Sequence, residues 1–203
     1  MQSTDTPSGQ TFANRWAIYA AMGVPEIDLQ SWRLNTKGLV AKPLTLSFDD
    51  LQKLPQVKFV KDFHCVTTWS IRSVVWEGVA FREVAKLTSV KREAKWVMFH
   101  CADRYTAPVP LEDAMVDDSI IAVRMNGRPI PIQQGYPARP FIPHLYGWKS
   151  AKWLTDIEFL PDYEDGYWEM YGYHERGNVW DEERFKRQSG KHVRRKGLGT
   201  LPI

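Results

Sequence analysis

The sequence predicts one α+β domain of mixed, largely antiparallel sheets joined by short helices. Short strand-like and helix-like runs follow one another without the strand–helix–strand rhythm of a parallel sheet. Thirteen prolines and thirteen glycines in 203 residues supply turns for many brief elements. Nine Trp, eight Tyr and nine Phe suit a β-rich core or a wide pocket. With 43% hydrophobic and 25% charged residues the chain is globular, and its length fits a single core.

Each element has its own local reason. Residues 24–40, VPEIDLQSWRLNTKGLV, read as a loop entering a strand, with AKPLTL as the return. Ser47 then caps a short helix over SFDDLQKL, with Asp50 at the capping-box position, and Pro55 stops it after about Leu54. Alternating apolar residues in VKFVKDFHCV predict a strand that delivers His64 and Cys65 into a loop of hydroxyls ending at Trp69. WEGVAFREVAKL predicts a turn and then a helix near residues 81–87. AKWVMFHCAD is another strand, and it too ends at a cysteine, Cys101. PLEDAM is a helical turn, IIAVRMNGRPI a hairpin turning at Asn126-Gly127, and SAKWLTDIEFL the last strand.

Charge and composition narrow the function classes. From Arg184 onward there are seven Lys/Arg and no acid; taking those seven from 27 leaves 20 basic residues against 24 acidic ones elsewhere. The charge split sets off a basic C-terminal tail (184–203), and the rest is read as an N-terminal extension (1–23) and a domain (24–183). The tail reads as a solvated terminus or as a contact for an acidic partner. The body has no basic stripe, so nucleic-acid binding is not the main function. No 18-residue apolar run exists, and the opening MQSTDTPSGQTFANRW has neither a basic-then-apolar leader nor a twin arginine. A chain without a transmembrane segment, located in the cytoplasm, is expected. Neither GxGxxG nor GxxxxGK[ST] occurs, so the usual nucleotide-phosphate cradles are missing.

The two cysteines, Cys65 and Cys101, each follow a histidine. Adjacent strand residues point to opposite faces, which works against a zinc site built from His-Cys dipeptides and against His64 acting as a base for Cys65. A Cys65–Cys101 disulfide, a nucleophile served by His100, His144 or His174, and a buried structural thiol remain open. So does a single soft thiolate ligating a cofactor metal whose other ligands are organic. That last reading needs donors for an anionic cofactor tail. QQGYPARPFIPHLYGWKSAKW places Arg139 and Lys152 around a Gly/Pro-rich loop, a planar fork and a point charge both suited to phosphate.

HCVTTWS, followed about 70 residues later by GYPARPFIPHLYGWKSAKWL, resembles the molybdopterin-binding domain of the sulfite oxidase family. The likeness is closest to its short, stand-alone bacterial members, and extends through VPEIDLQSWRL, PLTLSFDDLQKLP, WEGVAFREV, FHCADRYTAPVPLEDA and GYWEMYGYHERGNVWDEERF, roughly residues 24 to 185. It implies a sulfite oxidase-type molybdopterin-binding fold and a molybdenum-cofactor-dependent oxidoreductase. The reaction implied is oxygen-atom transfer to or from a small S-oxide, N-oxide or sulfite-like substrate. The alternative is a catalytically inactive binding module on the same fold.

By resemblance, Cys65 is the molybdenum ligand and the catalytic cysteine, Arg139 binds the pterin, and Ser150, Ala151 and Lys152 hold its phosphate. Cys101 lines the cofactor pocket. Gln134 stands where relatives have His or Asn. Ala20 and Ala21 replace a polar Asn-His pair, so a cofactor contact there is lost or supplied by Tyr19 or backbone. His64, Trp69, Arg104, Tyr105, His144 and Trp148 are candidate substrate-pocket residues. No haem or flavin segment is visible, which implies an external electron carrier or redox partner protein. The 203 residues leave no room for the haem and dimerisation domains of larger sulfite oxidases, which counts against sulfite oxidation as such.

Overall fold

A computed structural model describes residues 6–186. In chain order the elements are β1 (Thr11–Phe12), β2 (Leu34–Gly38), β3 (Thr45–Leu46), α1 (Phe48–Lys53), β4 (Gln56–His64), β5 (Trp69–Ala80) and α2 (Phe81–Thr88). There follow β6 (Trp96–Cys101), β7 (Thr106–Pro110), α3 (Leu111–Ala114), β8 (Ile120–Met125), β9 (Arg128–Pro129), β10 (Arg139–Phe141) and β11 (Leu154–Leu160). One sheet is organised on the long β5: β4 runs along one edge, β1 and β8 share the other, and β9 and β10 flank β8. The other sheet has the order β3-β2-β11-β6-β7. Only β1–β5 and β2–β11 pair in parallel, so the described sheets are mixed and largely antiparallel.

Alternation places the core. Ile121 and Val123 of β8 join Val79, Leu34, Phe99, Ile157 and Phe159 between the two sheets, closed by Phe81, Val84 and Ala85 of α2. The intervening Ile120 and Ala122 face a second cluster with Phe63, Val74, Trp76 and Phe141, in which Trp76 stacks on Phe141 with ring centroids 4.1 Å apart. Strand β8 is thus buried on both faces, which its unbroken apolar run IIAV allows.

Local signals are met where they are local. Ser47 Oγ accepts from the Asp50 N–H, and Asp50 Oδ2 accepts from the Ser47 N–H, both at 3.1 Å, closing the capping box. Asn126 and Gly127 both have positive φ (52° and 74°), as a two-residue hairpin turn requires. The turn expected at WEG is not there: Trp69–Ala80 is one strand that enters α2 directly. Gly78 serves a close approach instead. A Cβ there would lie 2.0 Å from the Ile121 carbonyl oxygen, at a register shift between β5 and β8. Gly78→Ala is expected to destabilise the protein by about 3 kcal/mol, at the upper end for overpacking. Urea denaturation checks this, and an unchanged midpoint contradicts it.

Parts of both outer segments belong to the domain. Thr11 and Phe12 pair with Trp69 and Ser70, and Lys186 forms a buried ion pair with Asp165 at 2.5 Å. The basic tail beyond Lys186 lies outside the described residues. Among those residues no helix is long and apolar enough to cross a membrane.

Candidate active site

Both cysteines sit in the same device. The Cys65 N–H donates to the Trp69 carbonyl (2.9 Å), the Thr68 N–H donates to the Cys65 carbonyl (3.2 Å), and Thr68 has φ 76°. In the other sheet the Cys101 N–H donates to the Tyr105 carbonyl (3.0 Å), the Arg104 N–H to the Cys101 carbonyl (2.9 Å), and Arg104 has φ 70°. These are matching three-residue hairpin loops, each ending in a residue in the left-handed region. The repeated His-Cys dipeptide thus marks two equivalent hairpin tips.

A cavity of about 530 Å³ lies against both tips. Cys65 and Thr67 line it from one hairpin, Asp103 and Tyr105 from the other. Cys65 is a free, half-buried thiol whose Sγ lies 3.2 Å from Thr67 Oγ1. Cys101 is also free but buried, does not line the cavity, and burial pushes its thiol pKa well up. The expected pocket role for its side chain is therefore corrected. Free thiols on separate hairpins leave no disulfide, and among the described residues no group of three or more His, Cys, Asp or Glu could hold a metal ion.

The Gly/Pro-rich segment supplies the cationic wall. Arg139 on β10 is buried; its Nε donates to Ser150 Oγ (2.9 Å), Nη1 to the Gln134 carbonyl (2.7 Å) and Nη2 to the Ser150 carbonyl (2.5 Å). All three acceptors are neutral, and among the described residues no carboxylate pairs with it. Burial pushes its pKa down to about 10. Lys152 donates to the Tyr19 carbonyl (2.5 Å) and the Gln133 carbonyl (3.2 Å). Burial, and then the Arg139 charge, bring its pKa down to about 8. The nearby Lys149 is spent elsewhere, in a buried ion pair with Glu169 at 2.7 Å. Gly135, at φ 110°, lets the backbone pass Lys152: a Cβ there would sit 3.0 Å from the Lys152 Cα. Gln134 lines the same wall with a buried Oε1 that has no partner among the described residues.

Of the sequence candidates, Cys65, Trp69, Tyr105, Gln134, Arg139, Trp148, Ser150, Ala151 and Lys152 line this one cavity. Besides Cys101, three do not. His64 is buried, with Nδ1 2.8 Å from Ser70 Oγ, and desolvation lowers its pKa against the pull of Asp62. Arg104 occupies the left-handed position of its hairpin and is exposed, while its neighbours Asp103 and Tyr105 take the cavity face. His144 is bound to Asp113 at 2.8 Å. Asp113 also takes both forks of Arg176, and although burial works upward, these donors hold its carboxyl below the usual range. His100 bonds Glu158 (2.7 Å), so these histidines are placed for structure and not beside the Cys65 thiol as a base.

Sequence reasoning missed Trp16, Thr67, Trp168 and Tyr173, all cavity-lining. The aromatic pair Trp16 and Tyr19 around Ala17 was a usable signal, set aside with the N-terminal extension. Ala20 and Ala21 line the cavity as well, and the Tyr19 carbonyl on Lys152 is the backbone contact available beside them.

One side of the cavity thus carries a soft sulfur and the other a buried guanidinium that no carboxylate compensates among the described residues, an arrangement that suits a ligand with a metal end and an anionic end. The chain belongs to the family described as the oxidoreductase molybdopterin binding domain, which matches residues 21–168. It is a molybdopterin-dependent oxidoreductase of the sulfite oxidase family, and an enzyme, not an inert module on that fold. It is 39% identical to the uncharacterized oxidoreductase YuiH of Bacillus subtilis over 91% of this chain and 93% of that one. It is 32% identical to a putative protein-methionine-sulfoxide reductase subunit, YedZ1, of Azospira oryzae (77% of this chain, 60% of the relative). Identity is also 32% to the protein-methionine-sulfoxide reductase catalytic subunit MsrP of Campylobacter jejuni (74% and 56%). The chain thus spans little more than half of these last two relatives. Among solved structures, the sulfane dehydrogenase SoxCD from Paracoccus pantotrophus superposes with a TM-score of 0.64 at 26% identity, over 69% of this chain and 41% of that one.

The residues present fit the cofactor. An anionic tail would compensate Arg139, Gln134 Oε1, unpartnered among the described residues, would offer an acceptor, and the close passage of Gly135 and Lys152 keeps the lysine on the same wall.

Proposed function

We propose that the chain reduces a small neutral S-oxide, of the methionine-sulfoxide kind, with electrons from an external carrier. In this reading Cys65 is the protein's sulfur ligand to molybdenum, and Arg139 with Ser150, Ala151 and Lys152 binds the pterin and its phosphate. The observation that carries it is the buried Arg139 guanidinium, without a carboxylate partner among the described residues, on the wall of the cavity that Cys65 also lines. When bound, the cofactor supplies two-electron oxygen-atom transfer at molybdenum. The balance is S-oxide plus two electrons and two protons to thioether plus water.

The chain's own residues shape the selectivity. Among the described residues its charged cavity-lining groups are Asp103, Arg139 and Lys152, and in this reading both cations are committed to the cofactor's anionic end. The walls otherwise include Trp16, Trp69, Trp148 and Tyr173. Such rings exclude water and accept the alkyl arms of a neutral S-oxide, whereas a sulfite dianion finds no further counter-charge. The similarity to a methionine-sulfoxide reductase catalytic subunit and to a putative subunit of another supports the same direction. A dye-linked substrate panel tests this. S-oxides are expected to turn over faster than N-oxides, and sulfite oxidation faster than any S-oxide reduction overturns it.

Lys152 gives a pH dependence with a defined sign. Its pKa without an anion is about 8, and an anion at Nζ raises it. Below that value the lysine is charged in both states and affinity is flat. Above it binding must take up a proton, so affinity falls by up to about tenfold per pH unit until the bound-state pKa is passed. Titrating ligand-free protein with a phosphate monoester from about pH 7 to 9.5 checks this window. Lys152→Met is expected to flatten the profile, and a flat wild-type profile contradicts the assignment.

A further inference from the structure

We propose that Gln10 and Arg184 are positioning residues for Cys65, each holding one backbone carbonyl of the cysteine turn. The turn is closed by its own backbone bonds but carries a strained residue. Thr68 is β-branched and sits at φ 76°, a region such residues rarely adopt unless their surroundings over-determine it. The surroundings come from distant parts of the chain. Gln10 Nε2 donates to the Cys65 carbonyl at 3.1 Å, and Arg184 Nη1 donates to the Val66 carbonyl. Neither side chain lines the cavity.

Proton counting makes the Gln10 contact directional. Its Nε2 faces Cys65, so its Oε1 must accept, and it does so from Ser70 Oγ at 2.8 Å. Ser70 has one proton and has spent it on Gln10. The 2.8 Å contact between Ser70 Oγ and His64 Nδ1 must therefore use an Nδ1–H. The chain His64, Ser70, Gln10, Cys65 carbonyl is then complete, and reversing any member breaks a neighbouring bond. His64, adjacent to the cysteine in sequence, thus acts on it only through Ser70 and Gln10. Arg184 closes the other side: its guanidinium lies 4.9 Å from the Tyr146 ring centroid, and Nη2 donates to the Ser8 and Gly9 carbonyls, each at 3.3 Å. One cation ties the two outer segments to the cysteine turn.

The consequence for the metal rests on Cys65 being its protein ligand; the clamp itself does not. Gln10→Glu keeps the size and the bond from Ser70 but cannot donate to the Cys65 carbonyl. Arg184→Ala removes the second clamp, and Arg184→Lys keeps a donor and is expected to restore part of the effect. In ligand-free full-length protein, Ellman's reagent reads Cys65, since Cys101 is buried. Gln10→Glu and Arg184→Ala are expected to move its modification rate clearly away from the wild-type rate. In loaded protein the same variants are expected to shift the electron paramagnetic resonance signal of the bound molybdenum. Wild-type thiol rates and a wild-type signal in variants that merely melt lower overturn the proposal. If thiol rates move but wild-type protein holds no molybdenum, the clamp stands and the reading of Cys65 as a metal ligand fails. Should Arg184→Ala not fold, Gln10→Glu and Arg184→Lys decide the matter by the same two readouts.

Discussion

Cys65→Ala protein, made in a host that assembles molybdenum cofactor, is expected to lose at least about 100-fold in S-oxide turnover. Partners one step removed from a metal ligand already cost 10–100-fold, and a ligand is not expected to cost less. The loss is not one of folding. Cys65 is half-buried at a hairpin tip, where losing one sulfur costs well under the several kcal/mol of a core cavity. The backbone bonds that form the turn, from the Cys65 and Thr68 N–H groups, do not involve the side chain. Molybdenum retention is expected to fall with activity while the urea midpoint moves little. Full turnover in Cys65→Ala contradicts the assignment.

Arg139→Met is expected to show a second large effect, confined to the cofactor-bound state. Two opposing terms act on the ligand-free protein. Three buried acceptors lose charged donors, and each group left unsatisfied costs about 1–3 kcal/mol. Against this, the substitution removes a buried charge with no counter-ion, whose burial itself costs several kcal/mol. The ligand-free protein should therefore change stability by less than the acceptors alone suggest. Cofactor binding has no such offset, because the anion then faces an apolar side chain. An affinity loss of about 100-fold, roughly 2.8 kcal/mol, is expected. Comparing the melting temperature of loaded and ligand-free protein separates the terms: wild type gains on loading and Arg139→Met does not. An equal gain in both contradicts the role given to Arg139.

What could be read before the structure was what neighbouring residues decide. The capping box at Ser47 and Asp50, the Asn126-Gly127 turn and the strands ending at each cysteine all depend on contacts within a few positions. Gly78 was misread because its reason, the Ile121 carbonyl, lies on another strand. The site followed the same division. The spacing of Cys65 to Arg139 and Lys152 carried a family likeness, and the cavity brings those residues together. Which lysine of GWKSAKW would face the cavity depended on Glu169, which takes Lys149. The roles of the outer segments were hidden by distance: the Gln10 and Arg184 contacts to the cysteine turn span 55 and 118 residues. The basic run set off the C-terminal segment, and the extent of the family likeness set off the N-terminal one.

The aromatic wall matters to function as much as the polar one. Trp148 is stacked on Tyr146 with centroids 5.3 Å apart, and its Nε1 donates to Glu169 at 2.9 Å. That bond fixes the ring while leaving one face of the residue on the cavity lining. The buried Lys149–Glu169 pair therefore holds one aromatic wall of the cavity that Cys65 also lines.

The central claim is that Cys65 supplies the protein's sulfur to molybdenum. X-ray absorption at the molybdenum edge, comparing loaded wild type with loaded Cys65→Ser, tests it most directly. One sulfur fewer around the metal in the variant is the predicted result; an unchanged sulfur shell would contradict it.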